Sequence, residues 1–295
     1  MTATPTDDPP VRLAVDDDGV ATITLCRPEK RNAQDTAFIY AFSELMDLAA
    51  RSSAVKVIRL RAEGPHFSAG HDLSETDPYG SMKGHIQGTW ADNCGAGVEP
   101  QMARERELYL DLCERWRNIP KPTIAQVHGA CIAGGLMLAW PCDIIVASDD
   151  AVFQDNTIDM GVGGVEYFVH LWELGHRKSR EYLFTGDTFG AAEAHRLGMI
   201  NHVVPRDELD AFGLDLARRI AAKPLFALKL AKEAINAAQD AQGRQQALRT
   251  AFALHQLAHG HNLAVHGLLI DPGRLKPGIV DKSRAAISGK PDTGR

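Results

Sequence analysis

No two cysteines in this 295-residue chain have the CxxC spacing of a metal ribbon or a dithiol site. The five present, Cys26, Cys94, Cys113, Cys131 and Cys142, are odd in number and scattered, as reduced thiols of a cytosolic protein are. Excess positive charge is lacking as well. The formal net charge is -6, and nucleic acid wants a clustered basic face, so nucleic acid is not the expected partner. Long apolar runs are missing: the longest, ACIAGGLMLAWPC, is too short for a bilayer and carries two glycines and a proline. The opening MTATPTDDPP has neither the basic nor the apolar region of a secretory signal and reads as a loose tail. GVGG is followed by neither a lysine nor a third glycine, which removes the P-loop and the dinucleotide fingerprint. No serine or cysteine sits in a GxSxG setting. What remains is the expectation of a cytoplasmic protein, off the membrane, acting on a small molecule; anionic ones fit, since a few placed cations can hold phosphate.

What is present is apolar mass, 44% of the residues, enough for a sizeable core. VRLAV and VATITL flank a DDDG turn and predict a hairpin. From Asp35 to Arg51 apolar residues recur at helical spacing, and KVIRLRA then reads as a strand running into EGPHFSAGHDL. Residues 74–98 form a polar, glycine-rich insertion with Tyr79 and Trp90; that length inside a compact domain suggests a lid or an excursion. A helix is predicted over 103–116, on Leu108, Leu112 and Trp116. IPKPTIAQVHG is the next strand, a helix opens at Gly134–Gly135, and DIIVAS is a buried strand. Strands alternating with helices argue for an α/β fold. After Arg206 three amphipathic helices follow without a strand between them. From Asp271 the chain reads as a solvated basic tail with Arg274, Lys276, Lys282, Arg284 and Lys290, phosphate contact being the other reading.

Two loops share one chemistry. FSAGHDL follows a strand, and so does HGACIAGGLML, whose glycines open a helix. Small residues there let backbone N–H groups approach a ligand, and a helix start adds the positive end of its dipole. Two such amides aimed at one carbonyl oxygen would make an oxyanion hole; ordinary tight turns are the alternative.

CRPEKRNA, HFSAGHDL, IPKPTIAQVHGACIAGGLMLAWPCDIIVAS and FTGDTFGAAEAHRLGMINHVV, in that order, resemble the enoyl-CoA hydratase/isomerase (crotonase) superfamily over roughly residues 11 to 240. The resemblance implies a spiral of ββα units in two nearly perpendicular sheets over 11–205. It also implies a helical C-terminal region, 206–270, that builds trimers or dimers of trimers, between tails at 1–10 and 271–295. It implies an acyl-CoA thioester as substrate, with coenzyme A entering only as part of it and no separate cofactor. The amides of His71 and Gly134 fall on the oxyanion-hole positions. Ser68, Ala69, Gly70, Asp72 and Leu73 would lie along the CoA arm, with Thr157 and Val165 near the substrate. Arg27, Lys30 and Arg31 stand where cations can meet CoA phosphates. The donors are main-chain groups, so the His71 side chain is free to vary; general acid or base work is its other reading.

Departures from the family pattern narrow the chemistry. Hydratases of the family use two glutamates, and their positions align here with Met137 and Thr157. A thioether transfers no proton and a threonine hydroxyl is a poor base, so two-glutamate hydration is not expected. A double-bond shift, hydrolysis or C–C cleavage suits one carboxylate better. In FQDNTIDMGVGGVEYF, Glu166 falls where other members carry a catalytic acid, and apolar neighbours would raise its pKa. A helix-start glutamate satisfying backbone donors is the alternative. Asp155 is the second candidate acid, against a turn-stabilising role, and Asp159 is expected to be structural or exposed. HQLAHGHNLAVH sets His255 and His259 four apart, with His261 and His266 behind. That spacing can ligate zinc, but no nearby HExxH glutamate or cysteine joins it, so the expectation is no metal and a surface or interface role. A non-catalytic acyl-CoA binder is the competing function class.

Overall fold

A computed structural model describes residues 9–75, 77–90, 98–275 and 277–281. The expected hairpin is β1 (Val11–Val15) and β2 (Val20–Leu25), antiparallel in register from Val11 opposite Leu25. Helix α1 (Thr36–Arg51) starts where Asp35 accepts a hydrogen bond from the Phe38 amide, and it buries Phe38, Ile39, Phe42, Met46 and Ala49. Strand β3 (Val57–Ala62) pairs parallel with β2.

The helix expected over 103–116 begins earlier, at Glu99. It runs as α2 (Glu99–Glu105), a π-helical stretch Arg106–Asp111, and α3 (Leu112–Arg117). Strand β4 (Thr123–Val127) is buried along its whole length, as a central parallel strand covered on both faces must be. The chain then leaves the large sheet for β5 (Ala130–Ile132) and enters α4 (Gly134–Ala139). Next come β6 (Ile144–Ser148), β7 (Val152–Gln154), α5 (His170–Thr185), β8 (Phe189–Gly190), α6 (Ala191–Leu197) and β9 (His202–Val204). The large sheet has the order β1-β2-β3-β4-β6-β9 and the small one β5-β7-β8.

Three longer helices follow β9: α7 (Leu209–Ala221), α8 (Leu225–Ala241) and α9 (Arg244–His266). Helix α7 lies on one face of the large sheet, where Leu209, Ala217 and Ala221 pack with Val20, Val57, Ile124 and Val146. The main core fills the other side and includes β5, α4 and the inward face of α9 at Leu248 and Phe252. Among the described residues no helix is long and apolar enough to cross a membrane.

Of the polar insertion, Thr76 and residues 91–97 lie outside the described residues. The rest is tied down: the amides of Gln87 and Gly88 donate to the Glu107 carboxylate, and Arg106 lies over the Trp90 ring. Residues 1–8, Cys94, Lys276, Lys282, Arg284 and Lys290 also fall outside, with most of the two expected tails.

Candidate active site

The two glycine-bearing turns meet. Gln34 and Cys131 flank the loop carrying Ser68 to His71: the Gln34 amide donates to Gly70 O, the Ser68 amide to Ala130 O and the Ile132 amide to Ser68 O. Ser68 is wholly buried. Its hydroxyl donates to Asn32 O and accepts from Gln34 Nε2 and the Gly70 amide, so it fixes the turn and does not face substrate. Gly70 (φ 88) leaves no room for a side chain; a methyl there would come within 2.9 Å of Ile132 O and 3.2 Å of the Gly134 nitrogen. Gly134 opens α4, where a first-turn amide has no partner inside the helix. Ala133 just before it holds φ 44 and ψ -108, a strained conformation for a residue with a side chain. Neither the His71 nor the Gly134 amide donates to a backbone carbonyl among the described residues.

Beside these turns lies a cavity of about 350 Å³. Ala69, His71, Asp72, Leu73, Thr157 and Val165 line it, and Glu166 joins them. Gly70 forms the turn behind the wall. The cations are placed differently from expectation. Arg27 donates to Ala33 O, to Asp35 and to Asp72, and Lys30 also pairs with Asp72. Arg27 is thus a structural tie for the loop and not a free phosphate ligand. Lys30 is half-exposed and Arg31 exposed, and neither lines the cavity. From the insertion, Tyr79 and Glu75 reach the wall, and Glu75 pairs with Arg104. A second hollow, of about 300 Å³, opens by Arg61, Gln126 and Asp210; its Arg61 and Asp210 already pair with each other.

Asp155 is not a proton carrier facing substrate. It is 0% exposed and off the cavity wall, and four donors satisfy it: the Thr157 amide and hydroxyl, the Val165 amide and His170 Nε2. Burial pushes its pKa up, yet the bonds from His170 and Thr157 hold it below the usual carboxylate range. An ionised anchor of this kind fixes the turn that carries Glu166. Thr157, its hydroxyl committed to Asp155, is no base, and Met137 is buried in α4 away from the cavity.

Glu166 is the opposite case. It is buried, it lines the cavity, and His255 Nε2 lies 3.6 Å from its Oε1, beyond hydrogen-bond reach. Burial and then the nearby Glu105 charge push its pKa up to about 8. His71 stacks on Tyr109 at 4.0 Å between ring centroids. Burial and the Arg104 charge push its ring down to about 3, so it is neutral and not a general acid near neutrality.

Sequence reasoning missed Glu105 and misplaced two histidines. His255 and His259 are not on the surface: they are 6% and 8% exposed, and with Glu105 they line the cavity opposite the turns. His259 Nε2 stands 3.2 Å from Glu105 Oε1, and His255 Nε2 3.7 Å from Oε2. Burial opposes charge on both partners, but Glu105 raises His259 to about 9 while the two rings hold Glu105 below the usual range. The signal was available. Glu105 continues the buried stripe of Leu108, Leu112 and Trp116, and the histidines continue Leu248 and Phe252.

The enoyl-CoA hydratase/isomerase family model matches residues 16–263. The chain is 44% identical to a Mycobacterium tuberculosis protein provisionally named enoyl-CoA hydratase EchA13, over 94% of this chain and 90% of that one. It is 30% identical to the hydroxycinnamoyl-CoA hydratase-lyase of Pseudomonas fluorescens, over 73% and 74%. The crystal structure of a "probable ENOYL-COA Hydratase" from Mycobacterium smegmatis superposes with a TM-score of 0.80 at 47% identity, covering 88% of this chain and 98% of that one.

Proposed function

Since the chain belongs to the enoyl-CoA hydratase/isomerase family and has its crotonase fold, we propose that it binds an acyl-CoA thioester and stabilises the thioester enolate. The His71 and Gly134 amides donate to the thioester oxygen, and Glu166 moves a proton at the acyl chain. One observation carries this reading: a buried carboxylate, Glu166, shares a cavity with two apposed turns, whose His71 and Gly134 amides donate to no backbone carbonyl among the described residues. Charge developing on the oxygen is then met by fixed donors in a dry site, where each is worth roughly 3–4 kcal/mol. No separate cofactor takes part. Because Met137 and Thr157 supply no acid, a double-bond shift, or hydrolysis or C–C cleavage by an activated water, fits best.

Glu105 on the same wall favours a second reading, hydration of an enoyl thioester by an unusual pair of acids. It ranks below the first because the Gln101 and Gln256 amides already donate to the two oxygens of that carboxylate.

Incubating saturated and unsaturated acyl-CoA thioesters with the enzyme in deuterium oxide tests the proposal. Exchange of the α-hydrogen, followed by NMR, is expected for at least one acyl class, and a β-hydroxy product would move the reaction to the second reading. Tight CoA binding with neither exchange nor any product from any thioester would instead make the chain a binding protein.

The C-terminal helices are the proposed contact between copies in a trimer or a dimer of trimers. Phe226, Ile235, Leu254 and Leu257 stand out on α8 and α9 at 61–72% exposure, a face that a second subunit would cover. The Leu257→Asp variant is expected to elute as a monomer in light-scattering chromatography while the wild type elutes as an oligomer; a wild-type monomer would remove this assignment.

A further inference from the structure

His255 and His259, one turn apart on α9, present the same ring edge to the cavity. Nδ1 of His255 lies 2.9 Å from Gly164 O, and Nδ1 of His259 lies 2.6 Å from Leu269 O. A carbonyl oxygen only accepts, so each Nδ1 carries a proton and each neutral ring keeps its lone pair on Nε2. Both Nε2 atoms are buried and make no hydrogen bond among the described residues. They face both oxygens of Glu105, at 3.2 and 3.7 Å. One ligand atom from each of the three residues falls within 4.8 Å of the others.

Lone pairs turned on a carboxylate repel unless positive charge stands between them. A proton on His259 answers for one ring and leaves His255 unpartnered. A cation at the centre answers for all three. A tetrahedral ion with bonds of about 2.0–2.1 Å sets its ligand atoms roughly 3.4 Å apart. The two rings stand 3.2 and 3.7 Å from one carboxylate oxygen each, and a set of one atom per residue lies within 4.8 Å, so small side-chain rotations close the site. Backbone carbonyls on the Nδ1–H groups are the outer partners that fix metal-binding histidines. The Gln101 and Gln256 amides orient the carboxylate in the same way.

We propose that Glu105, His255 and His259 form a site for a divalent transition-metal ion of the zinc class, with its open position on the cavity beside Glu166. Two imidazoles and a carboxylate select such ions over magnesium or calcium, which prefer oxygen ligands throughout. The proposal is independent of the thioester reaction, since the ligand set exists whether or not the cavity turns over an acyl-CoA.

Protein stripped with a chelator is titrated with Zn(II) by calorimetry and with Co(II) by visible absorption. The expected result is one ion per chain, strong d–d bands of a four- or five-coordinate cobalt, and a Tm that rises with free zinc. The His255→Asn and His259→Asn variants keep a donor for Gly164 O and Leu269 O but lose Nε2. Each should weaken zinc affinity by at least about 100-fold, the upper end of what losing even an orienting partner does. The exposed His261, changed to Ala, should leave affinity unchanged. Wild-type protein that takes up no zinc, or gives only the weak spectrum of hydrated cobalt, overturns the proposal, as does full affinity in both asparagine variants. Neither readout uses turnover, so a failed thioester assay and a failed metal site are told apart.

Discussion

The Glu166→Gln variant is expected to lose about 10²–10⁴-fold in kcat on the CoA thioester, the range for a positioned proton-transfer group, with CoA affinity unchanged. Glutamine keeps the size of the side chain and removes only the titrating oxygen. With the carboxyl raised to about 8 by burial, a base role makes kcat/KM of the chelator-treated wild type rise as pH passes through that value. A stability measurement separates this loss from misfolding. Below the unfolded pKa both states hold the proton and the raised value is harmless. Above it the unfolded chain ionises while the folded one does not, so stability falls with pH until the folded group also ionises near 8. The Gln variant lacks this term and should have a higher Tm than wild type, by more at pH 8 than at pH 5. Unchanged turnover in a folded variant would clear Glu166 of its role.

The second large effect is expected at Gly134. A methyl there would stand 2.7 Å from His71 Cδ2 and 3.2 Å from Gly70 Cα, so the stacked His71 ring must shift and the two turns must give by a few tenths of an ångström. Alanine is otherwise the better helix residue by roughly 1 kcal/mol, which works against any loss of fold. If the two amides act together, parting them should lower kcat by about 10²–10³-fold, as removing one oxyanion donor does, with a smaller change in KM. The α-hydrogen exchange should slow in step. A Gly134→Ala enzyme with wild-type exchange would show that no oxygen sits between these amides.

Much of the frame follows from local pattern. The DDDG hairpin, the Asp35 cap before an apolar stripe and the three closing helices each depend on residues near one another in the chain. The paired turns were readable for the same reason, because small residues at a strand end and a helix start declare themselves locally. Local reading failed where one residue type serves two purposes. Asp155 and Glu166 are both buried carboxylates in one short stretch, and only the donors around each set the turn anchor apart from the proposed proton carrier. Arg27 reads as a free cation until Asp72, from a distant loop, is seen to hold it.

By itself the sequence determined most of the order of elements and the two backbone turns, since periodicity and turn chemistry act over a few residues. The convergence of Glu105 with His255 and His259 was decided only in three dimensions, where α2 and α9 pack around one cavity. Burial and charge pairing depend on neighbours far along the chain, and no spacing within either helix records what the other presents to it.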